Sequence, residues 1–376
     1  MKISIIVALI LGLVIGAGIV NLTGPGNVTV TTTITYTQKA SETSVSTVVS
    51  TIVETTTIKP KYPITVVDAL GRIIEISKKP VRVVSLSPAI TEELYALGLG
   101  KYIVGVDSFS DYPPEVVKLR SEGKIVDVGG YWQPDFEKIV EIEPDLVVAD
   151  AGAHIKFREK FSELGLTVVY VKGGAASSLE DVLSDIGLLA QIFHIEEVAK
   201  SISSKIEEQI DIIERELLSK NVSKVKVLIL LGPPSWGYWS AGSGTFINYV
   251  VEVSGGYNIA SKYHGWIKLS AEDILLENPD VIVVSMMGSL GEAKKVIDEI
   301  FSSELSQTNA VKKGNIYVLI GDANNVLVRP SPRIVEAVKL MAQILHSEVF
   351  GEVSREDVIK ASPQLTSHVA QIVYIG

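Results

Sequence analysis

WQPDFEKIVEIEPDLVV at residues 132–148 and WIKLSAEDILLENPDVIVV at residues 266–284 state nearly the same thing twice. In each copy a Trp stands five or six residues ahead of a Glu, which opens a short helix with periodic apolar residues. Pro144 or Pro279 follows seven residues after that Glu, and an Asp then leads into a strand of branched apolar residues. The two acids, Glu137 and Glu272, lie 135 residues apart, so the repeating unit is a whole lobe and not a solenoid motif. Two similar lobes, each with an aromatic and an exposed acid at the same place, suggest a clamp.

Working outward, each copy sits in an alternation of apolar strands and helices. The first lobe opens with ITVVDALGRIIEI at 64–76, two alternating runs about a turn at Asp68–Gly71, which predicts a hairpin. RVVSLSP (82–88), YIVGVD (102–107), DLVVAD (145–150) and LTVVYVK (166–172) read as buried strands, with helices near 91–97 and 154–164. The second lobe repeats the style with KVLILLGP (226–233), DVIVVSM (280–286) and NIYVLIG (315–321), and helices around 244–254, 292–304 and 332–347. Wholly apolar strands alternating with helices indicate α/β lobes built on parallel sheets covered on both faces. Between the lobes, SLEDVLSDIGLLAQIFH (178–194) is amphipathic, and EEVAKSISSKIEEQIDIIERELLSK (196–220) continues as a rod of about 37 Å. A helix of that length predicts a stiff connector, with an ordinary packed helix of one domain as the alternative.

The N-terminus has a different character. Lys2 precedes an uncharged apolar run over residues 3–20, about 27 Å long as a helix and close to a bilayer core. The expectation is a single-pass transmembrane helix that places the rest of the chain outside the cell membrane, with a cleaved secretory signal ending near Gly16 or Gly18 as the rival. The Thr- and Ser-rich stretch that follows reads as an extended stalk, and Asn21, Asn27 and Asn221 head glycosylation sequons. The expected organisation is an anchor over 1–22, a stalk over 23–62, a first lobe over 63–190, a connecting helix over 191–222, a second lobe over 223–350 and an extension over 351–376.

A formal charge of -10 and no useful Lys/Arg cluster argue against a nucleic-acid partner. With no cysteine there are no disulfides, thiolate metal sites or cysteine nucleophiles. No GxSxG elbow occurs, GSGTF at 242–246 lacks the Lys of a phosphate-binding loop, and the five histidines never pair at ligand spacing. An enzyme and an intrinsic metal site are therefore not expected. All four tryptophans instead fall in segments read as loops: Trp132 beside Tyr131, then Trp236, Trp239 and Trp266, with Phe109 after a strand end. Loops at the carboxyl ends of strands are where open α/β sheets place ligands, and flat aromatic walls suit a large planar ligand. Core filling or packing between the lobes is the other reading of each ring. Arg329, just before the last helix, is placed to reach phosphate or carboxylate groups, or to cap local carbonyls. Glu137 and Glu272 follow the expected helix caps Asp135 and Ser270, where the helix dipole alone would favour an acid. As a matched pair they could also meet basic residues on a two-fold symmetric partner.

RVVSLSPAITEELYALGLG, VGVDSFSDYPPEV, VGGYWQPDFEKIVEIEPDLVV, GPPSWGYWSAGSGTFINYVVEVSGGYNIA, GWIKLSAEDILLENPD and RPSPRIVEAVKLMAQILH together resemble the iron-siderophore and vitamin B12 family of ABC-transporter substrate-binding proteins. The resemblance covers roughly 63–350 and is greatest to the cobalamin-binding branch. It implies two Rossmann-like lobes joined by a long rigid helix, the class III periplasmic-binding-protein arrangement. It implies that cobalamin, or a ferric siderophore or haem in the alternative, is carried as transported ligand with no intrinsic cofactor. The implied partner is a permease dimer with cytoplasmic ATPase subunits, docked through Glu137 and Glu272. Phe109, Trp132, Trp266 and Arg329 are the implied cleft residues. Phe109 stands where the bacterial cobalamin binder has Tyr, and the segment from Trp132 to Glu137 is one residue shorter, which lets the stacking role fall to Tyr131. The anchor and stalk resemble an archaeal, membrane-tethered arrangement. A cell-surface enzyme or interaction module on this scaffold is the reading from another class.

Overall fold

The structure, a computed structural model, describes residues 62–361 together with the backbone of three strands ahead of them. In the first lobe the strands Val83–Ser85 (β1), Ile103–Val106 (β2), Val126–Asp127 (β3), Leu146–Asp150 (β4) and Val168–Val171 (β5) form one parallel sheet in the order β5-β4-β1-β2-β3. The second lobe repeats the plan with Val225–Leu231 (β6), Gly256–Asn258 (β7), Val281–Ser285 (β8), Ile316–Leu319 (β9) and Val358–Lys360 (β10), ordered β7-β6-β8-β9-β10. Only β10 runs antiparallel, so the segment after residue 350 supplies an edge strand. Every residue of β1, β4, β5, β8 and β9 is buried, as expected for apolar strands covered by helices on both faces. The hairpin at the start of the first lobe is Ile64–Val67 paired with Ile73–Ile76, and Asp68 accepts the backbone N–H groups of Leu70 and Arg72 within the turn.

The connector is two helices. Leu179–Phe193 ends at His194, whose left-handed backbone closes it, and Glu196–Ser219 then runs for about 36 Å. Its buried residues Ile206, Ile210, Ile213 and Leu217 recur at three- and four-residue spacing, with Ala199 two turns ahead, which marks a single apolar stripe. That stripe joins the helix Ile334–Leu345 in one continuous apolar core, which also holds Val83 and Leu146 of the first sheet and Val227 and Val283 of the second. The two lobes therefore share a core and are not beads on a rod.

The segment ahead of the lobes departs from the expected membrane helix. Val14–Leu22 is a strand paired antiparallel with Val28–Ser41, which pairs in turn with Ser44–Val48. Residues 3–13 of the apolar run lie outside the described residues. Among the described residues no helix is long and apolar enough to cross a membrane. The transmembrane anchor, the attachment to a membrane through it and the single-pass placement in the cell membrane are thus not supported. The composition explains the strand, since Val14, Ile15, Ile19 and Val20 are β-branched and Gly16 and Gly18 weaken a helix. The Thr-rich stretch, expected as an unpaired stalk, supplies the matching partner strands.

One buried group in the first lobe carries a clear pH signature. Glu93, on the helix Pro88–Ala96, is fully buried, and among the described residues neither carboxyl oxygen has a hydrogen-bond partner. Burial, reinforced by the nearby acids Asp185, Asp150 and Glu92, pushes its pKa well above the ordinary carboxylate range. The folded chain thus holds a proton that the unfolded chain releases, and this group's contribution to stability declines as pH rises from the ordinary carboxylate range toward its folded value. Glu93→Gln removes that decline. Thermal melts at pH 5 and pH 8 should show the variant gaining on the wild type as pH rises, and a pH-independent difference would show that Glu93 does not titrate as described.

Candidate functional site

Three short pieces of the first lobe converge on one aromatic group. Gly129–Gly130 pairs antiparallel with Gln133–Pro134, leaving Tyr131 and Trp132 as the two residues of the turn. Gly129 has a positive φ of 94°, and a Cβ there would lie 2.7 Å from the Asp135 backbone nitrogen, so the tight turn needs glycine. The Phe109 loop lies alongside: Ser108 donates its backbone N–H to Gly129 at 2.8 Å, and a Cβ on Gly130 would be 3.8 Å from the Phe109 ring. Asp107 shapes that loop by accepting the Phe109 N–H at 2.9 Å and the Ser110 hydroxyl at 2.5 Å. Burial raises the Asp107 pKa to about 6, against the opposing pull of these donors. Trp132 is 63% exposed and meets Tyr131 edge-on, with ring centroids 4.6 Å apart.

The second lobe presents its rings on a two-stranded antiparallel ribbon whose strands are separated in sequence by a helix, which periodicity alone does not reveal. Tyr238–Ala241 pairs antiparallel with Trp266–Leu269, with Trp239 opposite Lys268 and Ala241 opposite Trp266. Side chains alternate along a strand, so Trp239 and Trp266 share one face as diagonal neighbours. Both are exposed, and Trp236, 67% exposed, follows on the short turn Pro234–Trp236, where a Cβ on Gly232 would lie 2.6 Å from its ring. Among the described residues no aromatic ring pair joins this group to the first lobe's.

Arg329 is where the two lobes meet. It follows the helix Gly321–Val328, yet its Nη1 donates to Glu92 at 3.0 Å and to Asp111 at 2.6 Å, and its Nη2 donates to the Phe109 carbonyl at 3.2 Å. Ser331 donates to the other Glu92 oxygen at 2.6 Å, and Asn325 donates to Asp111 at 3.0 Å. Arg333 lies 3.8 Å from Glu92 and stacks over the Tyr112 ring at 3.9 Å. Burial raises the Glu92 pKa, and the Ser331 hydroxyl and the two arginines pull it back. Arg329 therefore holds the Phe109 loop of the other lobe. Nothing in the local sequence marks Glu92 or Asp111, because their partner lies 237 and 218 positions distant.

Glu137 and Glu272 occupy matching places. Asp135 caps the helix Phe136–Glu141 and Ser270 caps Ala271–Glu277, each accepting a backbone N–H, and each Glu is the second helical residue, exposed and without a described partner. Among the described residues no group of His, Asp and Glu is arranged to hold a metal ion.

The family described as Periplasmic binding protein is matched over residues 83–323. An uncharacterized ABC transporter substrate-binding lipoprotein, YvrC, of Bacillus subtilis is 28% identical over 294 residues, which cover 77% of this chain and 88% of the relative. A cobalamin-binding protein of Halobacterium salinarum is 28% identical over 289 residues, covering 76% of this chain and 75% of the relative. Among solved structures, the periplasmic heme-binding protein RhuT from Roseiflexus sp. RS-1, in apo form, superposes with a TM-score of 0.60 at 25% identity, covering 70% of this chain and 97% of that one.

The contact between the lobes gives a direct stability test. Arg329→Ala leaves the buried Glu92 carboxylate with the Ser331 hydroxyl and a more distant Arg333. Removing one partner of a buried ion pair costs about 3–5 kcal/mol. Urea unfolding should show a loss of that size, and a loss under about 1 kcal/mol would mean that solvent screens the pair as it does on a surface.

Proposed function

Because the chain belongs to the periplasmic-binding-protein family, and so is a non-catalytic substrate-binding protein of an ABC importer related to cobalamin-, haem- and siderophore-binding proteins, we propose that its ligand is cobalamin or a related corrinoid. The observation that carries this reading is the exposure of large flat rings on both lobes. Phe109, Tyr131 and Trp132 gather on the first lobe, and Trp236, Trp239 and Trp266 on the second. Leaving three tryptophans more than half exposed forgoes burial worth about 1.5–3 kcal/mol for each large apolar side chain. Ring faces held open in this way are suited to a wide planar partner that covers them on binding. A corrin ring has that shape, and it brings its metal already chelated, so the protein need not supply a donor set. The likeness to the cobalamin-binding protein of Halobacterium salinarum supports the same choice. A second reading, haem or a ferric siderophore, is favoured by the likeness to the Roseiflexus heme-binding protein. In both readings Arg329 acts by holding the Phe109 loop.

Glu137 and Glu272 serve the other half of the task. They sit at equivalent helix starts of two similar lobes, point to solvent and have no described internal partner, so they form a matched pair of negative charges. A two-fold symmetric permease bearing basic residues is the complementary partner, and charge pairing of this kind chiefly sets orientation and encounter rate.

Calorimetry of the purified chain with cyanocobalamin, haemin and a ferric hydroxamate should give 1:1 binding with the corrinoid. Binding of the ferric chelate alone would reverse the choice of ligand within the same class. Changing both Glu137 and Glu272 to Ala should leave corrinoid affinity and melting temperature nearly unchanged while lowering uptake in reconstituted vesicles, most strongly at low salt. A double variant that folds normally and still drives full uptake would remove the docking assignment.

A further inference from the structure

The turn that displays Trp132 is pinned from beneath by two buried residues that no motif marks. Asp150 ends β4 and is 1% exposed, and His154, one turn further on, is wholly buried. Each Asp150 carboxylate oxygen accepts two hydrogen bonds: Oδ1 from the Gly152 and Ala153 amides at 2.7 and 3.1 Å, and Oδ2 from the Gly174 amide at 2.7 Å and the Tyr131 hydroxyl at 3.0 Å. His154 lies between the same partners. The Asp150 backbone N–H points at its Nδ1 from 3.0 Å, and its Nε2 lies 2.6 Å from the Tyr131 carbonyl oxygen.

This geometry fixes the tautomer. An N–H group can only donate, so Nδ1 must be the unprotonated acceptor, and the ring proton sits on Nε2, donated to Tyr131. The turn residue Tyr131 is thus held at two points, its hydroxyl by Asp150 and its carbonyl by His154, and its ring in turn backs Trp132. Resting on the reading of Trp132 as ligand-facing, we infer that Asp150 and neutral His154 are positioning residues that set the ligand-binding posture of the Tyr131–Trp132 turn, and that protonation of His154 releases it. An imidazolium would carry a second proton on Nδ1, facing the Asp150 N–H donor, and that hydrogen bond could not survive.

The surroundings agree on the direction. Facing His154 are Asp150, which favours the cation, and Lys156, which opposes it. The Tyr131 ring lies edge-on at 5.5 Å, the Phe157 ring is stacked at 6.5 Å, and the Tyr170 hydroxyl donates to the His154 carbonyl at 3.3 Å. Burial outweighs the rest and lowers the His154 pKa below its ordinary value. The unfolded chain therefore takes up this proton before the folded chain does, so the pin is complete at neutral pH. Its contribution to stability falls as pH drops through the ordinary histidine range, and the pin itself opens only below it.

Glutamine at position 154 offers the separating test, because its side chain can accept from the Asp150 amide through Oε1 and donate to the Tyr131 carbonyl through Nε2, yet cannot titrate. The full chain would be compared as wild type, His154→Gln and His154→Phe, with cyanocobalamin calorimetry at pH 7.5 and at the acid limit of native folding. Nitrogen-15 NMR of the wild type would report the tautomer, and acrylamide quenching, with Trp132→Phe as reference, would report the Trp132 environment. The expected result is an Nε2–H imidazole at neutral pH and affinity about tenfold weaker for His154→Phe, consistent with losing about one hydrogen bond's worth of positioning. His154→Gln should restore most of that affinity and lessen the acid loss seen in the wild type, leaving the part that follows protonation of Asp107 and Asp150, whose pKa values burial raises. An Nδ1–H tautomer, or Gln and Phe variants that behave alike in Trp132 quenching, would overturn the inference. If no corrinoid binds the wild type while the tautomer and the quenching split appear as expected, the ligand assignment fails and the pin stands.

Discussion

The contact of Arg329 with Glu92 and Asp111 is the constraint from which the rest of the molecule takes its shape. Glu92 is almost wholly buried on a first-lobe helix, and Arg329 comes from the second lobe. Carrying either charge into that position alone would be costly, so the pair is sustainable only when both lobes are present and in register. The apolar core makes the same demand over a wider area, because the stripe of Glu196–Ser219 and the helix Ile334–Leu345 pack with residues from both sheets. An open hinge would break an ion pair and uncover shared core at once. The architecture therefore favours a receptor that binds with small adjustments of its rims over one that closes like a jaw.

Holding the lobes in this way decides where each kind of chemistry can sit. Turns in the first lobe and a two-stranded ribbon in the second carry the aromatic groups, and the cross-lobe arginine holds the Phe109 carbonyl beside the Tyr131–Trp132 turn. The short helices that follow those loops begin with Glu137 and Glu272, each two residues past its cap. On the proposed function, ligand and partner recognition would use neighbouring stretches of the same repeated segment, one built from ring faces and the other from charge. A single lobe would supply half of each surface.

Much of this could be read from the chain itself. The duplicated segment located both glutamates, their caps and the strands β4 and β8, because helix starts and wholly buried strands leave local signatures. The long connector was equally plain from its three- and four-residue spacing, although its break at His194 and Ile195 was not. What escaped were features set by partners remote in sequence. The Trp239 and Trp266 ribbon depends on pairing two strands across an intervening helix, and the Arg329 contact on two acids in the other lobe. His154 looked like an isolated histidine because its partners are a backbone amide and a carbonyl. At the N-terminus the length of the apolar run points to a membrane helix, while its β-branched residues and the complementary Thr-rich strand make Val14–Leu22 a strand.

The central claim, that the two lobes form one rigid body before any ligand arrives, is open to a direct distance measurement. The chain has no cysteine, so Lys118→Cys and Lys295→Cys would place one spin label on an exposed helix of each lobe without competing sites. Pulsed electron–electron resonance on the ligand-free protein should give a single distance distribution, as narrow as that of a label pair placed within one lobe. Two populations, or a distribution much broader than the within-lobe control, would show lobes that move independently and would contradict the account.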